Sequence, residues 1–245
     1  MSQFNSSSPE SAASDKGLLT PIKRRSFFMY AGATAGATAL VLAGCNKDNV
    51  TPTDPNAVSL GNGNLSVLQY AYALEQLEAA FYDKVKGSTV AGFSAAEKAY
   101  FDQVAAHEAI HRDFFKAAIT LVAKGTPIPD LTPNFSSITF TDRKSVLDAA
   151  KAFEDLGVAA YNGAGKLISG TDMTSQTYLT LAGKIVSVEA RHAAYIRDLV
   201  MPGSFAADDQ VDPMSGLDMA MTPTAVIAAA QKFIVQTIDA SQVGK

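Results

Sequence analysis

The sequence predicts an all-α fold, a four-helix bundle with one long crossover and a short C-terminal helix. Three observations carry that prediction. From Leu65 onward, apolar residues recur at helical spacing over four long stretches, and no convincing strand alternation interrupts them. Two of the connections between those stretches are short, which suits antiparallel helix pairs. The remaining one, Gly125 to Phe140, is irregular and contains Pro127, Pro129 and Pro133. It has enough chain to run the length of a bundle.

Each element has its own punctuation. The first helix runs from Leu65 to Lys86 and stops at Gly87. The second opens after Ser94, because Ser94-Ala95-Ala96-Glu97 has the form of a capping box, and continues to about Lys124 before Gly125 and Pro127. The third spans Asp142 to Ile168 and ends near Gly170. The fourth runs from Ser175 to Val200 and is stopped by Pro202-Gly203. Thr222-Pro223 reads as an N-cap followed by proline at the first helical position, which opens a short fifth helix to about Ile238.

Composition narrows the function classes. Hydrophobic residues make up 47% and charged residues 18%, so the chain can bury a substantial core. The net charge of −4, with no cluster of Lys and Arg among aromatics, argues against nucleic acid as a partner. The single cysteine, Cys45, excludes an intrachain disulfide. Its position explains it. A polar leader precedes Lys23-Arg24-Arg25, an apolar run follows from Phe27 to Ala43, and the run ends at Leu42-Ala43-Gly44-Cys45. Arg24-Arg25-Ser26-Phe27-Phe28 resembles a twin-arginine export signal, and Leu-Ala-Gly-Cys resembles a lipobox. The resemblance implies cleavage before Cys45, lipidation of Cys45, a lipid bilayer as partner, and a periplasm-facing or cell-surface location. The run is short of the roughly 20 apolar residues that a retained membrane span requires. The expected organisation is a signal over 1–45, a flexible tether over 46–63, the bundle over 64–202, and a loop with the short helix over 203–245. The sequence leaves a homodimer open.

The chemistry lies in the spacing of acids and histidines. Of three histidines, His111 and His192 each follow a glutamate by three residues, in Glu108-Ala109-Ile110-His111 and Glu189-Ala190-Arg191-His192. Residues at i and i+3 project from one helix face, so each pair can grip one ion. The other two long helices carry Glu75 and Glu154 near their middles, each followed seven residues later by a tyrosine, Tyr82 and Tyr161. Seven residues is close to two turns, which puts each tyrosine on its glutamate's face, about 10 Å along the axis. Antiparallel helices of similar length share a level at their middles, so all four glutamates can meet. Four carboxylates and two neutral imidazoles balance two divalent cations, and oxygen and nitrogen donors without thiolates suit iron or manganese. Tyr82 and Tyr161 stand ready to hydrogen-bond those carboxylates.

Glu75, Glu108-x-x-His111, Glu154 and Glu189-x-x-His192 together resemble the di-metal carboxylate pattern of the ferritin-like superfamily. The stretch from Leu74 to Tyr82 is similar to the first helix of bacterial ferritin-like domain proteins of the desiccation-related type. The resemblance implies two Fe or two Mn ions held by those six residues. Three functions follow as expectations. The first is an oxidoreductase handling dioxygen or peroxide. The second is a manganese-catalase-like peroxide dismutase, and the third a non-catalytic metal-binding, stress-protection protein.

Other residues have plainer readings. Glu78, one turn from Glu75 on the same face, is a candidate extra or shifting ligand, but is rather expected beside the site or solvated. His107 is expected at its rim. Arg112, Arg191 and Arg197 could offset residual negative charge, and a solvated helix face explains them as well. Phe81, Phe101, Phe114, Phe115 and Phe153 suit the core. Gly157, Gly163 and Gly165 weaken the third helix by about 1 kcal/mol each relative to alanine, which close helix approach would explain.

Overall fold

The computed structural model describes Asp54 and residues 56–245. The signal-like segment, Cys45 and most of the tether lie outside the described residues. The order is β1 (Val58–Ser59), α1 (Gly63–Lys86), α2 (Ala95–Ala117), α3 (Arg143–Gly165), α4 (Met173–Val200), α5 (Pro223–Ala230) and β2 (Ile238–Asp239). The architecture is the expected all-α bundle: α1 pairs with α2, α3 with α4, and the long crossover joins the two pairs. Among the described residues no helix is long and apolar enough to cross a membrane.

The crossover is fastened to α1 by two glutamines. The Gln69 amide donates to the Thr126 carbonyl (2.6 Å) and accepts from the Ile128 N–H (2.9 Å). Gln76 repeats the arrangement with Pro129 and Leu131. Each amide thus satisfies both a donor and an acceptor of a segment that has no secondary structure of its own. Phe135 and Phe140 of the crossover then pack on Phe81, and Phe81 meets Phe153 of α3 edge to face. Covered in this way, α1 buries residues on every side.

Boundaries depart from the sequence expectation where side chains compete for the backbone. Asp172 caps α4 by accepting from Thr174 and Ser175, so the helix starts two residues before Ser175. The second helix widens into a π-helical turn over Ala118–Val122, closed by Lys124 at φ 56°. The fifth helix, expected to reach Ile238, stops at Ala230. Beyond it the Gln231 side chain donates to the Ile234 and Gln236 carbonyls and accepts from the Ile238 N–H, drawing the chain out. Ile238 instead lies in β2, which pairs in parallel with β1.

Arg197 is a second correction. It is 2% exposed rather than on a solvated face. Its guanidinium grips Asp155 of α3 (2.7 and 3.0 Å) and Asp209 of the loop after α4 (2.9 and 2.7 Å), tying that loop to the bundle. By contrast, Arg112 pairs with its neighbour Asp113, and Arg191 reaches only Ser187, one turn away.

The capping box at α2 forms in full. The Ser94 hydroxyl accepts from the Glu97 N–H (3.1 Å), and Glu97 accepts from the Ser94 N–H (2.7 Å) and from Arg143 (2.8 Å). Burial alone would raise the Glu97 pKa. The Ser94 N–H, Arg143 and the Ser94 hydroxyl outweigh it and hold the carboxyl below 4.5. A depressed carboxyl stabilises the fold above its unfolded pKa, and that stability is lost as pH falls through the folded value. Ser94→Ala is therefore expected to cost about 1 kcal/mol in urea unfolding at neutral pH. The stability gap between wild type and Glu97→Gln is expected to close as pH falls from 4.5 through the depressed folded-state value.

Candidate metal centre

The i, i+3 pairs on α2 and α4 and the mid-helix glutamates of α1 and α3 converge. Glu75, Glu108, His111 and Glu189 form one group whose donor atoms all lie within 4.8 Å of one another. Glu108, Glu154, Glu189 and His192 form a second group on the same criterion. Glu108 and Glu189 belong to both. All six predicted ligand residues are thus brought together, and all six are buried, with the four glutamates at 0% exposure.

Each histidine presents Nδ1 to the carboxylates. His111 Nδ1 lies 2.7 Å from Glu189, 3.3 Å from Glu108 and 3.7 Å from Glu75. His192 Nδ1 lies 3.0 Å from Glu108, 3.5 Å from Glu154 and 3.6 Å from Glu189. The two halves mirror one another, each histidine facing the glutamate of the opposite Glu-x-x-His pair.

The tyrosines show the same exchange. Tyr82 donates to Glu154, not to the glutamate of its own helix, at 2.5 Å. Tyr161 in turn donates to Glu75. A tyrosine two turns along its own helix sits about 10 Å from that helix's glutamate. On the antiparallel neighbour the axial order is reversed, so the hydroxyl arrives level with the other glutamate. Tyr82 and Tyr161 therefore hold Glu154 and Glu75 across the α1–α3 interface. Burial, then the adjacent carboxylate, pushes both phenols well above 10, which keeps them protonated as donors.

The protein groups alone leave this cluster poorly satisfied. Glu75 Oε2, Glu108 Oε1, Glu154 Oε2, both Glu189 carboxylate oxygens and His192 Nδ1 are buried without a hydrogen-bond partner among the described residues. Their contacts with the histidines are either misaligned, at 2.7–3.5 Å, or too long for a hydrogen bond, at 3.6–3.7 Å. Buried polar atoms left unpaired cost roughly 1–3 kcal/mol each, so such a concentration in one place marks a site built for something else. Protonation shows the same need for positive charge. Burial raises Glu75, and repulsion from Glu189 and Glu108 raises it further. Burial likewise pushes Glu154 up to about 8, against the pull of His192. Burial would lower both imidazoles, but the glutamate carboxylates that face them outweigh it, raising His111 to about 9 and His192 to about 12. Protons thus gather where cations would balance the acids. Unpaired oxygen and nitrogen donors in two overlapping sets, without a thiolate, fit a pair of divalent ions.

Two neighbours complete the surroundings. His107 lies parallel to His192 (9°, centroids 5.2 Å apart), its Nδ1 3.0 Å from His192 Nε2. It therefore holds the ring nitrogen of His192 that faces away from the acids. Glu78 is buried but belongs to neither ligand group. It occupies the space that a side chain at Gly157 would take, since a Cβ there would stand 2.9 Å from Glu78 Oε1. The sequence put both residues near the site without naming their partners, because those partners sit on other helices.

A family model described as a ferritin-like domain matches residues 63–202, which takes in α1 to α4 and all six clustered residues. No curated protein matches the chain.

Proposed function

This chain belongs to the ferritin-like domain family, and from that premise we propose that it is an exported lipoprotein whose bundle binds a dinuclear iron or manganese centre for redox handling of dioxygen or peroxide. The observation that carries the reading is the pair of overlapping four-residue groups sharing Glu108 and Glu189. One ion would be held by Glu75 and His111, the other by Glu154 and His192, with Glu108 and Glu189 common to both. When bound, such ions supply one-electron chemistry toward a small oxidant.

The protein's own residues set the conditions for that chemistry. The exclusion of water from the four carboxylates strengthens every electrostatic interaction among them. Tyr82 and Tyr161 fix Glu154 and Glu75 as positioning residues. His107 fixes the orientation of His192.

The export reading rests on Arg24-Arg25 and on Leu42-Ala43-Gly44-Cys45. Acylated Cys45 would tether the bundle to a bilayer through residues 46–63, facing the periplasm or the cell surface, as a desiccation-related branch of the family. Twin-arginine export carries folded protein, which would let the centre load in the cytoplasm, away from copper and zinc that bind such donors more tightly.

Anaerobic loading with Fe(II) or Mn(II), followed by dioxygen or hydrogen peroxide, tests the redox role. Metal oxidation or oxidant consumption is expected, and it should be lost in Glu189→Ala. A loaded chain inert to both oxidants would overturn the redox reading and leave a metal that only holds the bundle together.

A further inference from the structure

A cavity of about 30 Å³ lies among α1, the end of α2, and the facing turns of α3 and α4. Leu68, Leu74, Phe115 and Gly165 contribute to a wall that is almost wholly apolar. Three phenols also line it, those of Tyr70, Tyr161 and Tyr178. The Tyr161 hydroxyl is committed to Glu75, a residue of the metal centre. Tyr70 is 1% exposed, and its hydroxyl has no hydrogen-bond partner among the described residues. The cavity therefore runs from the half-buried rim at Gly165 to the side chain that holds Glu75.

Size and polarity together select an occupant. A resident water needs roughly 10–15 Å³ by this measure, so the space takes about two waters or one diatomic molecule. A buried water needs 2–4 polar partners, and among the described residues Tyr70 carries the one hydroxyl of the lining that is buried without a partner. Hydrogen peroxide, with two donors of its own, would leave most of its hydrogen-bonding capacity unmet, at a cost of a few kcal/mol. An apolar diatomic loses nothing on entering. We propose that this cavity is a binding site for dioxygen that delivers it to the Glu75 edge of the centre, which makes dioxygen rather than peroxide the oxidant admitted by this route. The proposal rests on the redox reading of the centre given above.

Dissolved dioxygen is paramagnetic and speeds the relaxation of protons it approaches. Methyl spectra of the purified chain, fully oxidised beforehand so that any bound metal is the same under both gases, are compared under oxygen and under nitrogen and test its presence directly. Several-fold greater enhancement is expected at Leu68, Leu74 and Ala164 than at Ile238 and Ala240, which are no more buried but do not line the cavity. Gly165→Leu should abolish the excess. A Cβ at Gly165 meets nothing within 4 Å, and leucine is the better helix former, so this variant is expected to fold. In turnover, Gly165→Leu should raise KM for dioxygen several-fold with kcat unchanged. No excess at the lining methyls, or a resident water detected by its cross-relaxation with them, would overturn the proposal. Because the relaxation measurement needs no turnover, it decides the cavity's role even for a chain in which the redox reading has failed.

Discussion

Removing metal from the purified chain with a chelator is expected to lower its thermal midpoint by roughly 8–16 °C. A ligand present at a thousand times its Kd stabilises the folded state by about 4 kcal/mol, and in a chain of this size each kcal/mol moves the midpoint by roughly 2–4 °C. The physical source is the cluster itself. Four glutamates at 0% exposure carry five carboxylate oxygens without a hydrogen-bond partner among the described residues, and cations relieve both the mutual repulsion and the lost solvation. Glu189→Ala should already melt low and should not respond to chelator, since Glu189 serves both groups. Calorimetry with and without chelator reads the difference. Identical wild-type midpoints would mean that the cluster stands without metal.

Gly163→Ala is expected to be the most damaging small substitution outside the centre, costing about 2–3 kcal/mol. A Cβ at this position would stand 1.7 Å from the Met221 carbonyl oxygen and 2.7 Å from its carbon. Those are backbone atoms, so no rotamer change relieves the clash. The segment leading into α5 must lift off α3, breaking the bond from the Met221 N–H to the Ala159 carbonyl (2.9 Å) and straining the one from Asn162 to Met219. Gly165→Ala is the control. It meets no neighbour, and the gain in helix propensity should leave stability equal or up to about 1 kcal/mol higher. Urea unfolding compares the two, and hydrogen exchange over 219–230 should quicken only in Gly163→Ala. Equal stabilities would show that the segment docks without needing this glycine.

The helices and the six clustered residues were legible because both rest on local periodicity. Apolar spacing survives in any bundle, and Glu-x-x-His shares a face whatever the helix packs against. Mid-helix placement then brings four separate helices to one level without further information. What depends on a partner elsewhere was not legible. Arg197 looks like any surface arginine until Asp155 and Asp209 close on it from two other segments. Tyr82 and Tyr161 were put on the right face, but their exchange between Glu154 and Glu75 follows from the antiparallel pairing of α1 with α3. α5 ends before the Ile238 that its sequence predicts because the Gln231 side chain, rather than a glycine or proline, draws the backbone out of the helix. The α3 glycines are expected from sequence to allow close helix approach, but Gly157 makes room for the Glu78 side chain of α1 and Gly163 for the Met221 backbone ahead of α5. Gly165 has open space instead.

The central claim is that this bundle holds two ions through one shared pair of glutamates. Elemental analysis of the chain purified from cells, beside Glu75→Ala, Glu154→Ala, Glu108→Ala and Glu189→Ala, tests it most directly. The two overlapping groups predict about two iron or manganese ions per chain in the wild type. About one should remain when Glu75 or Glu154 is removed, and none when Glu108 or Glu189 is. A wild-type chain that carries no stoichiometric metal would contradict the account, and with it the redox function built on the centre.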